Sequence, residues 1–164
     1  MTQIFNEMVY FFEEDEWPFD QIADLPAIRS GFSGKNGKWL CYAHAREEVE
    51  QFVFYSVLPV NVPPNRLAAA AEFITRANHD MIIGNFEMDY DDGEIRFKTS
   101  IDVEGDELTF DLIKQVVYNN VTTMDHYLPG VMALIYTDIS PLEAIKKIEG
   151  SPPDNRDDDA GDDG

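Results

Sequence analysis

The sequence predicts an α+β domain in which helices pack on an antiparallel sheet, with strands arriving along the chain as a block of three and then a pair. Three observations carry this. Runs rich in β-branched and aromatic residues at 27–33, 38–45 and 49–60 follow one another across short polar links. Two further strand-like runs meet at the acidic stretch "MDYDDGEIRF" (88–97). Segments with apolar residues spaced by three and four precede, separate and follow these blocks.

The elements follow in order. In residues 3–13, Ile4, Phe5, Met8, Val9, Phe11 and Phe12 share one face of a helix. The acids Glu13, Glu14, Asp15 and Glu16 at its C-terminal end oppose the helix dipole and Pro18 follows, so the helix stops there. "EWPFDQIADLP" reads as a connecting loop carrying Trp17 and Phe19. "AIRSGFS" and "KWLCYAHA" flank "GKNG", a turn with Gly34 and Gly37 at its ends, and "VEQFVFYSVLPV" is the third strand. In "NVPPNRLAAAAEFITRANHD" the period changes. Pro63 and Pro64 suit a first turn, and the helix ends near Asn78, a C-cap candidate.

The acidic stretch admits two readings, a calcium loop and a hairpin turn. An EF-hand loop needs acids at positions 1, 3 and 5, Gly at 6 and Glu at 12. With Gly93 at position 6, Met88, Tyr90 and Thr99 fall at positions 1, 3 and 12, and the calcium reading fails. As a hairpin with Asp92-Gly93 as a two-residue type I′ turn, Tyr90 opposes Ile95, Met88 opposes Phe97 and Phe86 opposes Thr99 on one largely apolar face. The other face opposes Asp89 to Arg96 and Glu87 to Lys98.

Beyond it, Leu112, Ile113, Val116, Val117, Val121 and Met124 keep a helical period through 108–127. Pro129 and Gly130 are expected to break it, with "VMALIY" a second short helix. Ser140, Pro141 and Glu143 form a capping box for a last helix ended by Gly150. The reading is thus one domain over residues 1–150 and a disordered acidic tail over 151–164, where six Asp and one Arg stand without a large apolar residue.

Bulk properties exclude several function classes. The 164 residues carry a net charge of −20, of which the tail supplies −5. So acidic a body repels phosphate backbones, which argues against nucleic acid, and attracts basic protein faces. The charge also serves solubility alone. The N-terminus lacks a basic start followed by an apolar run, and no stretch approaches the roughly 20 apolar residues of a membrane helix, so the chain reads as cytoplasmic and without a membrane partner.

Catalytic constellations are absent. Cys41 and His44, three apart on a strand, point to opposite faces and make no nucleophile–base pair. His44, His79 and His126 lie on separate elements without metal-ligand spacing, and no phosphate loop or nucleophile elbow occurs. No cofactor or metal is expected, and no enzyme activity. "NVT" at 120–122 matches a glycosylation sequon but falls on a predicted helix. What stands out instead is hydrophobicity in "MVYFF", "EWPF" and "YLPGVMALIY", most of which is expected to line the core, the remainder forming a groove or a dimer seam.

The block "FVFYSVLPVNVPPNRLAAAAEFITRANHDMIIGNFEMDYDDGEIRFKTSIDV", with "NNVTTMDHYLPGVMALIY" and "SPLEAI", resembles the YbjN-like domain family of the type III secretion chaperone-like fold, over roughly residues 3–148. The resemblance implies a non-enzymatic protein that binds segments of other proteins, often as a homodimer, and assists assembly or regulation. Members are also described as sensory-transduction regulators, and some relatives look like assembly factors for carboxysome shells. The client expected from this and from the charge is a basic or amphipathic protein segment. Its candidate contacts are Phe12, Trp17, Phe19 and Trp39, with Tyr127 and Leu128 behind them, taken as exposed aromatics and their support. The alternative is a regulator that senses a small ligand held between sheet and helices.

Overall fold

The computed structural model describes residues 3–150, so the tail expected over 151–164 lies outside the described residues. The elements run α1 (Gln3–Glu14), β1 (Phe19–Gln21), β2 (Ala27–Ser33), β3 (Lys38–Arg46), β4 (Gln51–Val57), α2 (Leu67–Asn78), β5 (Asn85–Met88), β6 (Ile95–Asp102), α3 (Phe110–Tyr136) and α4 (Pro141–Glu149). The strands form one antiparallel sheet in the order β1-β2-β3-β4-β6-β5. This is the predicted α+β architecture.

Alternation along each strand sends one set of side chains to the helices and the other outward. Ile28, Cys41, Ala43, Ala45, Phe52, Phe54, Ile95 and Phe97 point inward and are buried with Phe11, Phe12, Ile113, Val117 and Met124 in a shared core. Asn120, in the middle of α3, fixes that helix to the sheet: its Nδ2 donates to the Phe54 and Phe97 carbonyls, 3.0 Å each, and to Thr99 Oγ1 at 3.1 Å. Asn120 has no exposed surface, so a glycan at the "NVT" sequon is incompatible with this fold.

Three expectations need correction. The loop around Phe19 contains a strand: β1 pairs Phe19 with Ser30 and Gln21 with Ile28, giving the sheet a sixth, very short edge strand. Pro18 limits it, because proline has no N–H to offer the ladder.

The break at Pro129 does not occur, and α3 runs through it for 27 residues. Proline at 129 leaves the Asp125 carbonyl without its usual i+4 donor. Asn36 Nδ2 supplies the replacement at 2.9 Å, while the Asp125 carboxylate accepts from the Lys35 and Asn36 N–H groups at 3.0 and 2.9 Å. The β2–β3 turn thus satisfies the helix where proline would interrupt it. Gly130 is a contact position, since an added Cβ there would lie 2.9 Å from Ile148 and Phe73.

The β5–β6 hairpin exists, two residues out of the predicted register. Met88 opposes Ile95, Glu87 opposes Arg96, Phe86 opposes Phe97 and Asn85 opposes Lys98. The loop is longer than two residues: Asp89 N–H donates to the Glu94 carbonyl and Gly93 N–H to the Asp89 carbonyl, with Gly93 at φ 77°. A slip of two preserves which face each paired side chain occupies, so Phe86, Met88 and Phe97 share the apolar face and Glu87, Arg96 and Lys98 the charged one as expected. Asp89 and Tyr90 fall in the loop, and Tyr90 is exposed.

Candidate functional site on the open face of the sheet

Helices cover one face of the sheet. The other face is built by cross-strand rows fixed by the register. One row runs Asp20, Arg29, Tyr42, Tyr55, Lys98, Asn85, and beside it runs Gly31, Leu40, Val57, Arg96, Glu87. Toward the other end lie Ala27, His44, Val53 and Ser100, then Arg46, Gln51 and Asp102.

Five hollows adjoin on this face, one of about 190 Å³ lying at the hairpin among Glu87, Asp89, Glu94 and Arg96. The largest, of about 660 Å³, has walls formed by Phe32, Trp39, Leu40, Tyr42, Val57 and Leu58, with Lys38 on its rim. It shares Tyr42 and Val57 with a second of about 340 Å³, whose walls include Leu25, Tyr55 and Arg96. Tyr55 and His44 continue into a third of about 300 Å³ floored by Val53. A fourth, of about 310 Å³, opens beside Tyr42 between Arg29 and Ile22. Together they make a continuous trough, aromatic and aliphatic around Leu40, Tyr42 and Val57 and polar toward His44 and Asp102, with a charged border.

The border is ordered by specific pairs. Arg96 lies over the Tyr55 ring with its guanidinium carbon 4.3 Å from the centroid. Glu87 is shared by Lys98 at 3.1 Å and Arg96 at 3.5 Å, and Arg29 meets Asp20 at 3.4 Å. Arg46 donates to Gln51 Oε1 at 2.7 Å, and Gln51 Nε2 donates to Asp102 at 2.8 Å. That bond and the Glu104 N–H hold the Asp102 carboxyl below its usual range. Partial burial, and then the Arg46 charge, hold His44 below the ordinary imidazole value, so it faces the trough neutral at pH 7.

Of the four aromatics expected as exposed contacts, Phe12, Trp17, Phe19 and Trp39, and the two residues expected behind them, Tyr127 and Leu128, most lie away from the trough. Phe12 and Leu128 are fully enclosed, Trp17 and Tyr127 keep 9% of their surface, and Phe19 is half-buried on β1. Trp39 is 4% exposed, yet it reaches the largest hollow from below. Their exposure is corrected by packing. Phe12 stacks on Phe54, Trp17 stacks on Phe32 and donates Nε1–H to Asp15, and the buried Tyr127 hydroxyl, pushed up to about 12, donates to Glu149 at 3.0 Å. The structure therefore brings only Trp39 of the six to the trough.

Sequence reading missed Leu40, Tyr42, Tyr55 and Val57. On β3 the large residues Leu40, Tyr42 and His44 alternate with Cys41, Ala43 and Ala45, and a size argument places the large set inward. The reverse holds because α1 packs against β3, and its aromatics, Phe11 and Phe12, fill the space that small strand residues leave. The available signal was that pairing Leu40 with Val57 and Tyr42 with Tyr55 makes a coherent face of its own.

Burial pushes the Cys41 thiol up to about 12, on the helix side of β3. Among the described residues no group of three or more His, Cys, Asp or Glu is placed to hold a metal ion, and no helix is long and apolar enough to cross a membrane.

Comparison with known proteins gives a family match and a shared fold. The family model of YbjN, described as "Putative bacterial sensory transduction regulator", matches residues 8–132. No curated protein sequence matches the chain. Among solved structures, YbjN from E. coli, described as "a putative transcription regulator", superposes with a TM-score of 0.58 at 10% identity, over 76% of this chain and 88% of that one. The Yersinia pestis type III secretion chaperone SycH, in complex with a stable fragment of YscM2, gives 0.50 at 10% identity, over 74% and 95%. The fold is type III secretion chaperone-like.

Proposed function

The chain belongs to the YbjN family, and from that premise we propose that it acts without catalysis, as a chaperone-like adaptor that holds a segment of another protein on the open face of its sheet. The observation that carries this reading is the trough itself: mainly apolar hollows, continued by a polar one at His44, linked through Tyr42, Tyr55 and Val57 on a face that no helix of the described residues covers. Exposed apolar surface bordered by ordered charges is the composition of a protein-binding patch. The similarity to SycH, whose structure holds a fragment of YscM2, supports a protein client as the occupant.

The client segment is amphipathic. Its apolar side chains enter the hollows, and the field of a molecule of charge −20 speeds the encounter with segments that carry basic residues. Such holding serves assembly or regulation, and carboxysome shell assembly is one instance. The domain comprises residues 1–150 and works in the cytoplasm.

Affinity capture from native lysate tests the reading. A stoichiometric protein partner lost on Leu40→Asp and kept on Tyr136→Asp, an exposed aromatic at the far end of α3, supports it, provided both variants melt like the parent. Capture insensitive to Leu40→Asp overturns it.

A second reading draws on the largest hollow, whose 660 Å³ is within the usual size of small-ligand sites. In that reading the protein is a regulator sensing a metabolite. A melting temperature raised by a metabolite, and unaffected by it in the Leu40→Asp variant, would favour sensing.

A further inference from the structure

Among the described residues, Gly31 is the one glycine that the fold does not require. Gly84, Gly93 and Gly105 hold a positive φ, and an added Cβ at Gly34, Gly37, Gly130 or Gly150 would come closer than 3.0 Å to a neighbour. Gly31 has neither reason. It is exposed inside β2, its φ lies outside the left-handed region, and a Cβ there meets only the Trp39 carbonyl oxygen at 3.8 Å. The β2–β3 register passes through it without a bulge. Glycine weakens a strand, and one that no bulge or bend explains is the mark of another molecule approaching the backbone.

That position lies in the largest hollow, with Leu40 directly across and Lys38 and Tyr42 on the diagonals. An aromatic ring laid over a strand glycine stabilises it. Here the chain supplies none, since no ring atom comes within 4 Å of the Gly31 Cβ position. Lys38 is the single charged residue lining this hollow, and it has no ion-pair partner among the described residues. Ser33 stands directly across from Lys38 and adds a hydroxyl to the same rim.

The acids of the open face line other hollows. Glu87, Asp89 and Glu94 share the small one at the hairpin with Arg96, and Glu94 also reaches the one at Tyr55. Asp102 lies in the hollow at His44, and Asp20, on the strand beside β2, is held by Arg29 at 3.4 Å. From β3 to β6 is about 10 Å, beyond the Debye length of about 8 Å at about 0.15 M salt, so the hairpin acids leave the Lys38 charge largely unscreened.

We propose that the slot over Gly31 is the anchor site of the client segment and takes an aromatic side chain with a carboxylate beside it. The ring lies on Gly31 between Pro18 and Leu40, and the carboxylate meets Lys38 and Ser33. This rests on the adaptor reading and names the client's recognition element, an acidic residue next to an aromatic one. The field of the whole molecule speeds the encounter with basic segments, while the contacts at Lys38 decide which residue of the segment seats.

Titrating the isotope-labelled protein with N-acetyl-aspartyl-phenylalanine amide tests the site without the client. The dipeptide should shift the backbone amides of residues 30–33 and 38–42. An asparaginyl version should bind about threefold more weakly, as for an exposed ion pair, and a lysyl version more weakly still. Alanine in place of phenylalanine should remove the shifts. In Lys38→Gln the aspartyl and asparaginyl versions should bind alike. In Gly31→Leu binding should fall by about tenfold or more, with the melting temperature unchanged or raised. Shifts confined to other hollows, no shifts, equal binding of the lysyl and aspartyl versions, or parental binding by Gly31→Leu overturns the proposal. Phenylpropionate shifting the same amides at lower concentration than the dipeptide also overturns it, assigning the slot to a free aryl carboxylate. A dipeptide that fails while lysate capture is still lost on Leu40→Asp removes this anchor and leaves the adaptor reading. A dipeptide that seats while capture ignores Leu40→Asp keeps the slot and removes the client.

Discussion

Trp39 Nε1–H donates to Ser56 Oγ at 2.9 Å, joining β3 to β4 beneath the largest hollow. Both residues are buried, so Ser56→Ala leaves the indole N–H without a partner at a cost of about 1–3 kcal/mol. At roughly 2–4 °C per kcal/mol for a domain of this size, the melting temperature should drop by several degrees. In a Trp39→Phe background, where no N–H remains to be stranded, the same change should cost much less. A double-mutant cycle by thermal melting measures the coupling, and additive losses would refute it.

Asn120 ties α3 to the β4–β6 pair through its Nδ2, whose two hydrogens are shared among three acceptors. Asn120→Ala should destabilise the fold by about 2–3 kcal/mol. Asn120→Asp should be worse at pH 7, because a carboxylate cannot donate to the Phe54 and Phe97 carbonyls. Burial raises such an acid's folded pKa above its unfolded value, so the penalty is present above the unfolded value and fades as pH falls and the group protonates. Urea melts of the aspartate variant at pH 7 and pH 5 should therefore differ less from the parent at pH 5.

Most of the sheet was legible because period and turn chemistry are local. The bounds of β2 and the inward face of the hairpin follow from alternation alone. The course of α3 through Pro129 was not, because Asn36, which replaces the missing donor, lies 89 residues away from Asp125. The trough was hidden for a related reason. Which face of β3 is covered depends on where α1 docks, and Phe12 and Trp17 read as surplus aromatics until Phe54 and Phe32 are placed against them.

Two glycines share a positive φ of 77° and differ in surroundings. A Cβ on Gly93 would lie 2.1 Å from the Val62 carbonyl oxygen, whereas one on Gly105 meets nothing within 4 Å. Gly105→Ala should cost only the left-handed backbone penalty of about 1–2 kcal/mol. Gly93→Ala should cost clearly more, since the Val62 segment must also move and its N–H bond to the Gly93 carbonyl is strained. Equal melting temperatures for the two variants would contradict this.

Cys41 should be inert in the folded protein. Its side chain is enclosed and its thiol is raised to about 12 by burial, against weaker opposing hydrogen bonds from Ser56 and Trp39, so the thiolate is negligible at pH 8. Iodoacetamide at pH 8 should leave the native chain unmodified by mass and alkylate it once urea unfolds it. Rapid native alkylation would mean that β3 opens locally or that the thiol faces the solvent.

Gly31 offers a way to fill the trough without charge or truncation. It sits on β2 opposite Leu40 on the open face, and a Cβ there meets only the Trp39 carbonyl oxygen at 3.8 Å, an ordinary contact. Its φ is not in the left-handed region, so a larger side chain suits the strand. Gly31→Leu should leave the melting temperature unchanged or slightly raised while its side chain occupies part of the 660 Å³ hollow. If that hollow takes the client's apolar anchor, capture should fall at least tenfold in this variant, through blocking alone. A folded Gly31→Leu protein that still captures its partner at parental strength would move the anchor to the neighbouring hollow at Tyr55 and Leu25, where Tyr55→Ala is then the discriminating change.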